Sequence, residues 1–155
     1  MFNIVLVNPQ IPNNTGAIGR LCVNTSSKLH IIKPIAFDMS EKAVRRAGLD
    51  YWHKIDLYVW DDLEHFLSSH SDSSRYHLAT TKTDKPYFNA TFNLDDYLIF
   101  GSETAGLPKD FLDANISRAI TIPMGSDGRS LNLAMSAGIV LYDAIRQNYN
   151  SFIGS

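Results

Sequence analysis

Phe2-Asn3-Ile4-Val5-Leu6-Val7-Asn8-Pro9-Gln10-Ile11-Pro12-Asn13-Asn14-Thr15-Gly16 opens the chain, and its reading decides the fold class. The first six residues are apolar except for Asn3 and rich in β-branched side chains, the composition of a strand covered on both faces, and Asn8-Pro9 ends it. Asn13-Asn14-Thr15-Gly16 then offers N-cap chemistry for a helix through about Thr25, with Ile18, Leu21 and Cys22 at helical spacing. A doubly covered strand followed at once by a helix is the building unit of parallel α/β sheets.

The same alternation continues outward. Leu29 to Ile32 reads as a second strand closed by Pro34, Glu41 to Ala47 as a helix stopped by Gly48, and Leu57 to Val59 as a third strand. Asp61-Asp62 open a helix to about Ser68, and Tyr76 to Ala79 is a fourth strand. Tyr97 to Phe100 is a fifth strand broken at Gly101, and Pro108 to Ala114 is a short helix with Pro in its first turn. Ala119 to Ile122 is a sixth strand, and Leu131 to Gln147 is the longest amphipathic helix. The expectation is an α/β fold, a parallel sheet with helices on both faces, in one domain spanning residues 1–155 with a loosely tied tail from Asn148 to Ser155.

Composition sets the class of protein. Of the 155 residues 45% are hydrophobic and 19% charged, which excludes a disordered or low-complexity chain. The longest purely aliphatic run, Ile4 to Val7, is far short of the roughly 20 apolar residues a membrane-spanning helix needs. Met1-Phe2-Asn3 provides no basic lead-in, so no secretory signal is expected. Cys22 is the single cysteine and forms no internal disulfide, pointing to a reducing cytoplasm and, on its apolar helix face, to a core role. The net charge of −2 argues against a uniformly basic nucleic-acid-binding face.

Ligands of open parallel sheets bind beyond the carboxyl ends of the strands, which directs attention to three loops rich in Gly, Pro, Asn and Ser. They run from Asn8 to Gly16, from Gly101 to Pro108, and from Pro123 to Ser130. None carries a phosphate-binding P-loop or a dinucleotide fingerprint. Ser102 lacks the elbow motif of a hydrolase nucleophile and reads as a turn residue. The histidines at 30, 53, 65, 70 and 77 share no helical face, so no metal is expected. Trp52 and Trp60 either stack on bases or anchor packing, and nothing in the sequence favours stacking.

Taken in order, the loops resemble the three motifs of the SpoU branch of the SPOUT superfamily of RNA 2'-O-ribose methyltransferases. Asn14-Thr15-Gly16 with Arg20 is similar to the first motif. Phe100-Gly101-Ser102-Glu103 with Gly106-Leu107-Pro108 is similar to the second, and Ile122-Pro123 through Ser130-Leu131-Asn132-Leu133 to the third. Asn8 to Gly16, Leu29-His30-Ile31-Ile32-Lys33-Pro34 and Arg45-Arg46-Ala47-Gly48-Leu49-Asp50-Tyr51 resemble the small TrmL-like members that methylate the tRNA wobble nucleotide. A chain of 155 residues matches such members, whose larger relatives carry added RNA-recognition segments.

The resemblance implies a deep carboxyl-terminal trefoil knot, S-adenosylmethionine as methyl donor without a metal, and tRNA, not DNA or a membrane, as partner of a homodimer. It implies cofactor binding by Ala79, Gly101, Ile122, Ser130, Leu131 and Asn132, and a reacting centre at Arg20 with Asn14 and Glu103 nearby. Arg129, Tyr142, Arg45 and Arg46 would face RNA or the dimer partner. Each has a plainer reading: Arg20 as a surface arginine, Glu103 as a turn carboxylate, Asn132 as a helix start and Tyr142 as a core residue. A guanidinium keeps its proton at neutral pH and is a poor general base, which favours charge stabilisation or phosphate clamping for Arg20. Ala105 and Ala134-Met135 depart from the family pattern. Alternatives are another tRNA or rRNA site, or a module that binds cofactor or RNA without catalysis.

Overall fold

Strand periodicity divides the interior into two layers in the computed structural model, which describes residues 1–47 and 51–154 apart from the side chains of Arg45 and Ala47. The strands are β1 (Asn3–Val7), β2 (Lys28–Ile32), β3 (Leu57–Trp60), β4 (Tyr76–Ala79), β5 (Tyr97–Phe100) and β6 (Ala119–Ile120). All pair in parallel, in the order β3-β2-β1-β5-β4-β6. The helices are α1 (Pro12–Thr25), α2 (Lys42–Ala47), α3 (Leu63–Ser69), α4 (Lys109–Ala114), α5 (Leu133–Gln147) and α6 (Tyr149–Ile153).

Successive strand side chains point to opposite faces. Ile4, Leu6, Leu29, Ile31, Leu98 and Phe100 meet Ile18 and Cys22 of α1 and Val140, Leu141 and Ala144 of α5. Val5, Val7, Leu78 and Ile99 meet Phe66 of α3 and Phe111 and Leu112 of α4. This is the expected sheet with helices on both faces. Cys22 lies in the first layer, where burial pushes its thiol up to about 12, the behaviour of an inert core residue.

Several boundaries differ from the sequence expectation for local reasons. Ile11 caps α1 with extended backbone and Pro12 takes the first turn, so Asn13 and Asn14 are inside the helix and Asn14 is free for tertiary contacts. Asn132 caps α5, its Oδ1 accepting from the amides of Ala134 and Met135, so the helix starts at Leu133. β6 stops at Ile120, and Thr121 pairs with the β4–β5 connection instead.

The tail from Asn148 is also more ordered than expected. Residues Tyr149–Ile153 form α6, and the Asn148 Nδ2 donates to the carbonyls of Phe92 and Ala144, each at 2.9 Å. Phe152 packs against the first layer. The Phe92 anchor is 56 positions away, which a reading of eight tail residues does not contain. Gly48, Leu49, Asp50 and Ser155 lie outside the described residues, as does the side chain of Arg45, so the expected helix stop at Gly48 and the Arg45 contact are not described.

Candidate active site

The carboxyl ends of β4, β5 and β6 open onto a cavity of about 650 Å3, within the size range of small-molecule sites. Ala79, Thr80, Thr81 and Lys82 follow β4, Phe100 to Leu107 follow β5, and Thr121, Ile122 and Met124 follow β6. Ile11 and Asn14 enter from α1, and Ser130, Leu131, Asn132, Leu133 and Ser136 complete the wall. Apolar and peptide surface therefore alternates around the space, with few charged groups.

The β5 loop is folded tightly upon itself. The Ser102 amide donates to the Gly106 carbonyl at 3.3 Å, and the Gly106 amide returns to the Ser102 carbonyl at 3.1 Å. A Cβ on Gly101 would lie 2.1 Å from the Gly106 carbonyl carbon and 2.2 Å from the Leu107 nitrogen, so no other residue fits without moving the backbone. Gly106 has φ +69°, in the left-handed region. Ser102 Oγ accepts from the Ala105 amide at 3.2 Å, a turn-forming contact in keeping with its sequence reading.

Glu103 ties this loop to the first. Its Oε1 accepts from the Gln10 amide at 2.8 Å and its Oε2 from the Ile11 amide at 2.7 Å, with the Asn14 Nδ2 also donating to Oε2 at 3.3 Å. Gln10 returns the contact, its Oε1 accepting from the amide and hydroxyl of Thr104. Asn14 is buried, and its Oδ1 accepts from the Asn132 Nδ2 at 3.0 Å. The relay Asn132 to Asn14 to Glu103 thus joins all three loops and fixes the orientation of both amides. Charge-assisted bonds from three donors hold the Glu103 carboxylate against the first loop.

Asn14, Glu103, Ala79, Gly101, Ile122, Ser130, Leu131 and Asn132 all line the cavity. Arg20 does not. It is on the solvent face of α1, with its guanidinium carbon 4.8 Å from the centre of the Tyr51 ring. Arg20 shares the exposed stripe of Asn13, Ala17 and Asn24 on that helix. Arg46 and Arg129 are exposed, and Tyr142 is half exposed on α5. Trp60 packs among His30, His65, Phe66 and His70, and Trp52 lies over Gly19.

The lining residues missed in the sequence include Thr80, Thr81, Lys82 and Ser136. Thr80 to Lys82 directly follow a strand, the one signal that could have marked them. Among the described residues, no group of three or more His, Cys, Asp or Glu side chains is placed to hold a metal, and no helix is long and apolar enough to cross a membrane.

The SpoU rRNA Methylase family profile matches residues 1–142. The chain is 44% identical over 152 residues to the tRNA (cytidine(34)-2'-O)-methyltransferase of Yersinia pestis, covering 95% of this chain and 94% of that one. It is 41% identical over 150 residues to the enzyme of the same name from Burkholderia cenocepacia, covering 95% and 96%. A solved structure described as giving structural insights into the 2-OH methylation of C/U34 on tRNA superposes with a TM-score of 0.91 at 36% identity, covering 97% of each chain.

Proposed function

The chain belongs to the SpoU rRNA methylase family, and from that premise we propose that it is a tRNA 2'-O-methyltransferase acting on the wobble nucleotide, position 34, with S-adenosylmethionine as methyl donor. One observation carries the reading: the three motif loops meet at a single cavity and are joined there by the Asn132–Asn14–Glu103 relay.

The cavity suits the donor on its own geometry. The Gly101 cradle, which a Cβ would fill, brings bare peptide groups to the wall, and Leu107, Ile122, Leu131 and Leu133 add apolar surface beside them. In this reading Ala79, Gly101, Ile122, Ser130, Leu131 and Asn132 hold the adenosyl part. When bound, the donor supplies an electrophilic sulfonium methyl group. The chain's own task is to position a ribose 2'-hydroxyl in line with it and exclude competing geometries.

Glu103 and Asn14 keep the first and second loops in register around the reacting atoms. Arg20 stabilises the developing alkoxide or clamps a neighbouring phosphate, and the hydroxyl proton leaves to water or to a substrate phosphate. Arg20 stands outside the cavity lining of its own chain, which supports a site shared between two copies, with RNA held partly by one and methylated in the other's cavity. Arg129, Arg46 and Arg45 would face the RNA. A homodimer through α5 is supported by Met135, Ile139 and Tyr142, exposed by 65%, 36% and 50% at helical spacing.

The trefoil knot belongs to the same reading. It is supported by the course of Thr121 to Asn132, which leaves the edge strand β6, is bonded to the Lys85 and Tyr87 backbone at its start, and reaches Asn14 at its end. The reading takes residues 1–155 as one domain and the cytoplasm as its setting.

Labelled S-adenosylmethionine and tRNA lacking the modification test the assignment. A 2'-O-methyl nucleoside mapped by mass spectrometry to position 34 is expected, and label on a base, or none, overturns it. If Arg20→Ala and Arg20→Lys both leave single-turnover methylation unchanged at saturating tRNA, the role given to Arg20 is wrong.

A further inference from the structure

A second cavity, of about 380 Å3, lies beneath the β4–β5 connection, and its wall includes His77, Lys85, Asn89, Ser117, Arg118 and Ile120. Its charge is one-sided. Lys85 and Arg118 bring two permanent cations, no Asp or Glu lines it, and neither cation has a carboxylate partner among the described residues. For a chain of net charge −2 this is a local concentration of unneutralised positive charge in a concave place.

Both cations are held by backbone contacts that leave donors over. Lys85 Nζ donates to the Ser117 carbonyl at 3.1 Å, using one of its three N–H groups. Arg118 Nε donates to the Tyr76 carbonyl at 2.9 Å, and among the described residues its two terminal nitrogens have no hydrogen-bond partner. His77 adds no charge. Its Nε2 is bonded to Asp96 Oδ2 at 2.8 Å, and burial holds it below the usual histidine range despite that carboxylate. Lys85, Asn89 and Ser117 are exposed, so the cavity is open at its rim.

The two cavities share a wall. Ile120 lines this one and Thr121 the first, while the Thr121 amide donates to the Lys85 carbonyl at 2.8 Å. One connection therefore presents Lys82 to the methylation cavity and Lys85, three residues on, to the second. We propose that the second cavity is a phosphate site for the RNA strand, in which Lys85 and Arg118 bind a backbone phosphodiester near the nucleotide held in the first cavity. The proposal rests on the RNA-methyltransferase reading. Such a contact positions the strand and carries no base information.

The test uses Lys85→Glu, at an exposed site whose side chain bonds to the Ser117 carbonyl, and Arg118→Gln as a second variant. Binding of a fluorescently labelled tRNA anticodon stem-loop is followed by anisotropy over a range of salt concentrations, beside steady-state methylation. Each variant is expected to weaken RNA binding by about fivefold or more and to lower the salt slope of log Kd by about one, with kcat at saturating tRNA unchanged and KM raised. Inorganic phosphate should compete with RNA for the wild type and less for Lys85→Glu. Unchanged Kd and salt slope in both variants overturns the proposal. So does weaker phosphate binding with unaltered RNA binding, which makes the cavity a free-anion site. Failure of the wild type to methylate any tRNA overturns the functional reading instead, and the anisotropy still decides the cavity.

Discussion

Two hydrogen-bond relays of similar length do different things in this molecule. In the sheet, Trp60 Nε1 donates to His30 Nδ1 at 3.1 Å, His30 Nε2 donates to Asn3 Oδ1 at 3.0 Å, and Asn3 Nδ2 ends on the Asp95 carbonyl at 2.9 Å. The Trp60 donor fixes the His30 tautomer. Rings of Tyr58, Phe66 and His70 stand around the imidazole, with centroids 5.1, 5.5 and 5.6 Å away. The second relay, Asn132 to Asn14 to Glu103, borders a cavity of about 650 Å3. The first closes on the protein's own backbone inside an aromatic wall, and the second joins three loops beside open space. Polar burial alone therefore does not mark a functional site. What separates the two is whether the fully bonded groups border space that a ligand can enter.

The strongest way to break this contrast is Gly101→Ala. Its methyl group collides with backbone, which no rotamer change relieves, so a stability loss of about 3 kcal/mol is expected. Methylation should fall by two orders of magnitude or more. Urea titration and donor binding by calorimetry check both, and near-normal donor affinity would refute the cradle.

Asn14→Ala should come next, since it removes the middle of the open relay and leaves the Asn132 amide and one Glu103 contact unmet. The expected cost is about 2 kcal/mol, or about thirtyfold in kcat/KM. The contrast fails if this variant loses stability while keeping full activity.

The closed relay should show itself through pH. Burial is the main cause that lowers His30 to about 4 from 6.5, with the nearby His70 and Lys28 acting in the same direction. The unfolded chain therefore binds more protons, so the stabilising contribution is complete above the unfolded value of 6.5 and is lost as pH falls toward 4. Between pH 7 and pH 5 the loss is about 2 kcal/mol. His77, also lowered, acts with the same sign. Denaturant midpoints for wild type and His30→Phe check this, the variant showing the shallower pH dependence.

Trp60→Phe is the mildest change. Loss of one donor to His30 should cost about 1 kcal/mol, with kcat and KM unchanged. A loss of methylation without loss of stability would join the two relays functionally and erase the distinction.

Much of the fold is visible in the chain itself because strand and helix periodicities are local. Phe2 to Val7 reads as doubly covered, and its even and odd residues pack into different layers. The three motif loops are likewise local strings, and the expected cofactor residues, from Ala79 to Asn132, line one cavity. Asn14 shows the limit. It reads as helix-capping chemistry, yet it works from inside α1 through partners 89 and 118 positions away. Arg20 shows another: its contact comes from Tyr51, beyond α2, which no spacing within α1 indicates.

The amino-acid sequence determined the alternation of strands and helices, the parallel sheet class and the three loops that carry the family resemblance, because each depends on neighbours a few residues apart. Tertiary structure alone decided which polar relay borders a cavity, which cations beside Ser117 lack a carboxylate partner among the described residues, and that Glu103 holds the first loop. Those outcomes depend on chain segments brought together by the strand order β3-β2-β1-β5-β4-β6. Solvent exclusion and hydrogen-bond completion are properties of that assembled space and of no single stretch of chain.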